Sequence, residues 1–182
     1  RGFHYVQGAY LQKGFGKHGE LSNPFAFGYF EAMGHHNVPR FSHTFVIYEA
    51  IALPEAYRGR LFGVVPLLSH VVMSDVSPDR SSFKTKDVGF ALESSDPWFR
   101  PVQIRTGLDG CVYVVDMHRA VIEHPKFIPE ETLRELDLMG GREQARIYRV
   151  RRQDQAPRVP PKIDLTNPMK LVAALDSPNG TQ

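Results

Sequence analysis

A few short groups of residues in this chain carry side chains that can do chemistry. His43 stands in Phe41-Ser42-His43-Thr44, just ahead of an apolar run. An imidazole titrates near neutrality, so it can take a proton from a hydroxyl. Asp96, Trp98 and Arg100 alternate along Asp96-Pro97-Trp98-Phe99-Arg100-Pro101. Arg can grip a carboxylate or a quinone oxygen through two hydrogen bonds, and Trp can stack on a sugar or a ring. Asp116 and Arg119 follow the run Val112-Tyr113-Val114-Val115 and can face a ligand or pair with each other. We take His43, Arg100 and Asp116 as candidate catalytic residues, and Asp96, Trp98 and Arg119 as candidate ligand-binding residues. Each has a plainer alternative: His43 bonded to a neighbouring loop, and Asp96, Trp98 and Arg100 forming a latch between sheets. Metal binding is not expected. His35 and His36 are adjacent and would point apart on an extended chain, and spacing places no third ligand near them. His118 and His124 could join a metal or a proton path. Asp109 reads as a turn residue, and Cys111 as a buried thiol.

These side chains need a frame, and the pattern around them supplies one. Val102-Gln103-Ile104-Arg105 alternates as a half-buried strand does, Gly107-Leu108-Asp109-Gly110 is a tight turn, and Cys111 to Val115 is a second strand. A strand, a G-x-D-G turn and Y-V-x-D together read as the inner hairpin of a β-propeller blade. Upstream, strands are expected at about 43–49, 60–66, 70–76 and 83–89, with Pro54, Gly59, Pro66 and Ser77-Pro78-Asp79 between them. Four strands with short links make one antiparallel blade. The second blade starts near Val102, with a third strand at 119–123, a short helix at 129–139 and a last strand at 146–151. Pro129 suits a first helical position, Glu130 and Glu131 favour its positive end, and Gly140-Gly141 stops it. Gly14 to Gly34 reads as a long loop holding the aromatic run from Asn23 to Phe30.

The fold expected is therefore all-β: a partial β-propeller with a short helical insertion. Residues 1–152 would hold its C-terminal blades. Residues 153–163, with Pro157, Pro160 and Pro161, would be a linker, and 164–182 would begin a helical repeat. Thr166 or Asn167 caps that last helix, whose Leu171, Val172 and Leu175 share a face that needs a partner repeat. In a propeller, loops entering and leaving the innermost strands reach the mouth of the central channel. His43 and Arg100 occupy matching places ahead of two such strands.

Composition narrows the function classes. The chain has 182 residues, 42% of them apolar and 23% charged, with a formal charge of +2 and basic residues spread thinly. Nothing there points to nucleic acid. One cysteine excludes an internal disulfide, and with no C-x-x-C-H the segment cannot attach haem c. No nucleophile motif such as G-x-S-x-G argues for a hydrolase. The chain starts at Arg1 and holds no run of about 18 apolar residues, so no signal or transmembrane segment is expected in this fragment.

Phe41 to Tyr48, Leu53 to Gly63, Asp96 to Arg119, Arg119 to Pro125 and Arg146 to Val150 together resemble one family. It is the membrane-bound dehydrogenase family of planctomycete-type bacteria, whose propeller is similar to that of the glucose/sorbosone dehydrogenases. The resemblance covers roughly residues 1–152. It implies a much longer protein with a propeller of six blades when whole, periplasmic or membrane-associated, that oxidises a sugar or alcohol. A helical-repeat region would follow the propeller, and a haem c domain outside this segment would take the electrons. His43 would then accept the proton as hydride leaves a sugar carbon. The cofactor stays open: the resemblance implies pyrroloquinoline quinone held by basic residues, yet the turn Pro66-Leu67-Leu68-Ser69-His70 supplies neither Lys nor Arg. A non-catalytic propeller that binds carbohydrate or a protein partner is the alternative. The nearest partners would be the remaining blades and helical repeats of the same protein.

Overall fold

The computed structural model describes residues 4, 5, 7, 34–36, 43–156, 158–160 and 162–181, with only the backbone of 34–36. The aromatic run from Asn23 to Phe30 lies outside the described residues, as do the side chains of His35 and His36. Ten elements are used below: β1 (Gly34–His36), β2 (Phe45–Ile47), β3 (Leu61–Val65), β4 (His70–Asp79), β5 (Ser82–Glu93), β6 (Pro101–Thr106), β7 (Val112–Asp116), α1 (Glu130–Glu135), β8 (Arg146–Val150) and α2 (Pro168–Ala174).

The strands form two sheets, in the orders β1-β5-β4-β3-β2 and β6-β7-β8. Every pairing is antiparallel except β1 with β5. The protein is all-β in class. The four strands expected between residues 43 and 89 are present as one meander. β3 reads Leu-Phe-Gly-Val-Val, and all five of its residues are buried, as a central strand covered on both faces requires. β4 and β5 run well past the neighbouring strands, to a turn at Arg80 with φ +56°.

In the second sheet the expected hairpin is present, with Gly107 to Gly110 as its turn. Gly110 has φ +80°, and a Cβ there would come within 3.2 Å of the Ala52 Cβ. Glycine is therefore needed both for the turn and for the close approach of the first sheet.

The third strand is β8, not residues 119–123. After β7, Met117 N–H donates to the Arg100 carbonyl and Arg119 N–H to the Trp98 carbonyl, so pairing with the segment before β6 continues for one turn. His118 between them adopts φ +48°, and Ala120 N–H goes to the Gly140 carbonyl. That left-handed kink takes the chain out of the ladder. α1 then forms where Pro129 and two glutamates predict it, though it stops at Glu135.

The two sheets share one core. Tyr48, Leu53, Phe62, Val64, Val71, Phe99, Ile104, Val112 and Val114 pack together, and each such side chain is worth about 1.5–3 kcal/mol when fully buried. Contact between sheets is closest where β6 lies against β2 and β3. Polar bonds add register: Ile104 N–H donates to Thr44 Oγ1 (3.2 Å), and the Tyr48 hydroxyl donates to the Gly110 carbonyl (3.0 Å) while accepting from Leu53 N–H (2.8 Å).

Beyond β8 the described residues run without regular structure to α2, whose cap is Asn167, accepting from Met169 and Lys170 N–H; Pro157 and Pro161 of the expected linker lie outside the described residues. The segment then returns to the β core. Asn179 Nδ2 donates to the Gly107 and Leu108 carbonyls (2.9 and 3.1 Å), and Gly180 N–H to the Glu49 carbonyl (2.8 Å). No helix among the described residues is long and apolar enough to cross a membrane.

Candidate functional site

The register of the sheets gathers the chemistry-bearing residues at one end. The start of β2, the β3–β4 turn, the end of β5, the start of β6, the end of β7 and the start of β8 all meet there. That end carries His43, Ser69, His70, Asp96, Trp98, Arg100, Asp116, His118 and Arg146.

Asp116 is the anchor. β7 alternates in burial, with Val112, Val114 and Asp116 on the inward face, so the strand's period of two carries a carboxylate into the core. Asp116 is 0% exposed. Its Oδ1 accepts from Arg100 N–H and His118 N–H, both at 2.8 Å. Its Oδ2 is buried with no hydrogen bond, 3.6 Å from His118 Nδ1 and 3.8 Å from Arg146 Nε. A buried carboxylate oxygen in that condition is a high-energy feature, tolerable because the Arg146 guanidinium and the His118 imidazole face it.

His118 is the residue the sequence undersells. It is 4% exposed and lies in the left-handed region, where a non-glycine residue is strained. Its Nδ1 is 3.6 Å from Asp96 Oδ2, 3.6 Å from Asp116 Oδ2 and 3.3 Å from Arg146 Nη2. The guanidinium can only donate, so Nδ1 accepts from Arg146, and the two carboxylate oxygens lie just beyond hydrogen-bond reach of the same nitrogen. Gly141, at φ +82°, lies so close that a Cβ would collide with the His118 carbonyl oxygen. Trp98, 39% exposed, meets the imidazole edge-on at 5.9 Å. Asp96 also accepts from Trp98 N–H at 2.9 Å, which fixes the loop carrying both. The signal available in the sequence was Asp116-Met117-His118, a histidine one residue beyond a strand's inward-facing carboxylate.

Arg100 bridges the sheets. Its Nη1 donates to Ser69 Oγ (2.7 Å) and to the Phe99 carbonyl (3.3 Å), and Nη2 to the Ala120 carbonyl (3.3 Å), while Nε is buried and unpartnered. Burial lowers its pKa, and the charges of Asp116 and Asp96 oppose that shift. The guanidinium is thus turned toward neutral acceptors, and only its backbone N–H reaches the carboxylate. Arg119 donates from Nη1 to the Met139 carbonyl (3.5 Å), outside the Asp96–His118–Asp116 group. His43 is exposed at the head of β2, at the same end of the sheets. Among the described residues no group of three His, Cys, Asp or Glu side chains is placed to hold a metal ion.

Asp109 sits at the other end of β7. Its Oδ1 accepts from Cys111 N–H (3.0 Å), and its Oδ2 from the Tyr113 hydroxyl (3.0 Å) and from Arg149. Burial pushes its pKa up, but these hydrogen bonds outweigh burial and hold it below the usual value. It is a structural tie between the hairpin turn and β8.

No curated protein and no solved structure matches the chain. One protein family does match, over residues 27–154, a span holding both sheets and every residue of the Asp96–His118–Asp116 group. The chain belongs to the family described as Domain of unknown function (DUF7133).

Proposed function

We propose that the two sheets are neighbouring blades of a β-propeller, six-bladed when whole, and that the end carrying His118 faces its channel. There a sugar or related alcohol is oxidised, in a periplasmic or membrane-associated protein whose haem c domain lies outside this segment. The observation that carries this reading is the buried His118 imidazole, set in a strained backbone with two carboxylates 3.6 Å from one nitrogen. A small shift that exchanges the Arg146 contact for either carboxylate puts the proton on Nδ1 and the lone pair on Nε2, the arrangement of a general base. Nε2 takes the hydroxyl proton, and the hydride of the carbon–hydrogen bond passes to a two-electron acceptor held outside the described residues, from which the haem c domain draws the electrons. Asp116 and Asp96 stabilise the imidazolium that results. The exposed face of Trp98 offers a sugar an apolar platform. His43, at the same end, is the second candidate base.

Pyrroloquinoline quinone carries carboxylates that need cations. Among the described residues Arg100 bonds Ser69, Phe99 and Ala120 and the turn Pro66 to His70 has no Lys or Arg, which leaves Arg119 and Arg146 as the other cations near this end. The hydride acceptor is assigned to a two-electron cofactor held outside the described residues.

The test is dye-coupled oxidation of a panel of sugars and alcohols by the full-length protein. His118→Ala should lower kcat about 10²–10⁴-fold with KM little changed. Unchanged turnover in an active parent removes His118. If sugars bind and none is oxidised, with Trp98→Ala abolishing binding and His118→Ala sparing it, the carbohydrate-binding reading replaces the enzyme. The exposure of Trp98 beside a locked Arg100 favours that second reading.

A further inference from the structure

Beside the β3–β6 contact lies a cleft of about 260 Å³, lined by residues of both sheets. Tyr57, Phe62, Val71, Leu92, Ile104 and Val114 make its apolar walls, and Arg151 and Arg152 stand at its rim. The same two arginines also line a second cleft of about 280 Å³, with Arg158, Gln155 and the buried Cys111. The two spaces therefore adjoin across Arg151 and Arg152. One is walled by hydrocarbon, and the other carries three guanidinium groups.

These arginines are unequally engaged. Arg152 is paired with Asp154. Arg151 Nη1 donates only to neutral acceptors, the Arg152 and Gln155 carbonyls, both at 3.2 Å. Among the described residues neither Arg151 nor Arg158 has a carboxylate partner. Two uncompensated guanidinium groups beside an apolar slot complement one kind of molecule: a hydrocarbon chain ending in an anion.

We propose that this pair of clefts binds an amphiphile with a single anionic headgroup, an alkyl carboxylate, its chain between the sheets and its carboxylate on Arg151 and Arg158. The site is at the opposite end of β8 from Arg146 and is independent of the His118 site. The planar fork of Arg suits a carboxylate, and a phosphate monoester would present the same oxygens. An alkyl phosphate is therefore a separate arm of the test.

Dodecanoate, dodecyl phosphate, methyl dodecanoate and acetate are titrated into the intact protein by calorimetry. Dodecanoate should bind, and methyl dodecanoate and acetate should each bind at least tenfold more weakly, since one lacks the charge and the other the chain. Arg158→Ala and Arg151→Met should each weaken dodecanoate roughly tenfold or more. Val150→Trp, at the cleft's margin, should weaken dodecanoate while leaving acetate unchanged; near-ultraviolet circular dichroism reports whether it folds. Tighter binding of dodecyl phosphate than of dodecanoate overturns the carboxylate assignment. Equal binding of acetate and dodecanoate, indifference to both arginine substitutions, or no binding at millimolar dodecanoate overturns the site.

Discussion

Asp116 anchors two backbone N–H groups from its buried place on β7, and in the proposed reaction it also steadies His118. Asp116→Ala leaves the N–H groups of Arg100 and His118 without their acceptor, at a cost of at least about 2 kcal/mol. Denaturant unfolding measures it. Asp116→Asn keeps an acceptor and removes the charge. It should recover most of that stability yet still lower turnover of the full-length protein, because the imidazolium of His118 loses its buried counter-charge. Recovery of both would assign Asp116 a purely structural role. Asp109 gives a pH signature. Its folded pKa is depressed below the ordinary 3.8, so its ties to Cys111, Tyr113 and Arg149 stabilise the fold above that value. The contribution is lost as pH falls through the lowered pKa. Asp109→Asn should therefore be less stable than the parent at pH 7, with the gap narrowing below about pH 4. A gap that stays constant down to pH 2 would rule out this linkage.

At the scale of elements, the last segment behaves as a clasp. Asn179 is buried to 3% exposure and donates to carbonyls 72 and 71 positions earlier in the chain, at the turn between β6 and β7. Asn179→Asp keeps size and loses both donors. It should lower the melting temperature by several degrees and speed amide exchange at Gly180, whose N–H bonds the Glu49 carbonyl. Unchanged exchange at Gly180 would show that the clasp holds without Asn179. α2 itself remains exposed along Met169, Val172 and Leu175. The need for a partner that its pattern implies is thus not met within the described residues.

For the whole molecule, the clasp and the shared core make one prediction together. Residues 1–152 expressed alone lose the contacts of Asn179 and Gly180, and Ile147 and Tyr148 of β8 are exposed. An exposed edge with apolar side chains invites association. This fragment should melt at lower temperature than the full chain and should self-associate in sedimentation. A monomeric fragment with the full chain's melting temperature would refute the clasp.

The local rules were written plainly in the chain. The period-two runs of β6 and β7, the continuous apolar run of β3, the Gly107–Gly110 turn, Pro129 ahead of α1 and Asn167 ahead of α2 are each matters of nearby backbone chemistry, and each appears where that chemistry puts it. So does the meander of β2 to β5, because short links leave little choice but antiparallel pairing. What sequence alone did not decide is which distant groups meet. Residues 119–123 had a strand's composition, but the kink at His118 and the bond from Ala120 to Gly140 gave their place to β8. Arg100 met Ser69, 31 positions away, instead of a carboxylate. His118 came to lie against Asp96 as well as Asp116 only because the segment before β6 folds beside the one after β7. The apolar cleft beside Arg151 and Arg152 is walled from both sheets, so it exists only once they have packed. Such pairings depend on how whole sheets pack, and no local pattern encodes that distance.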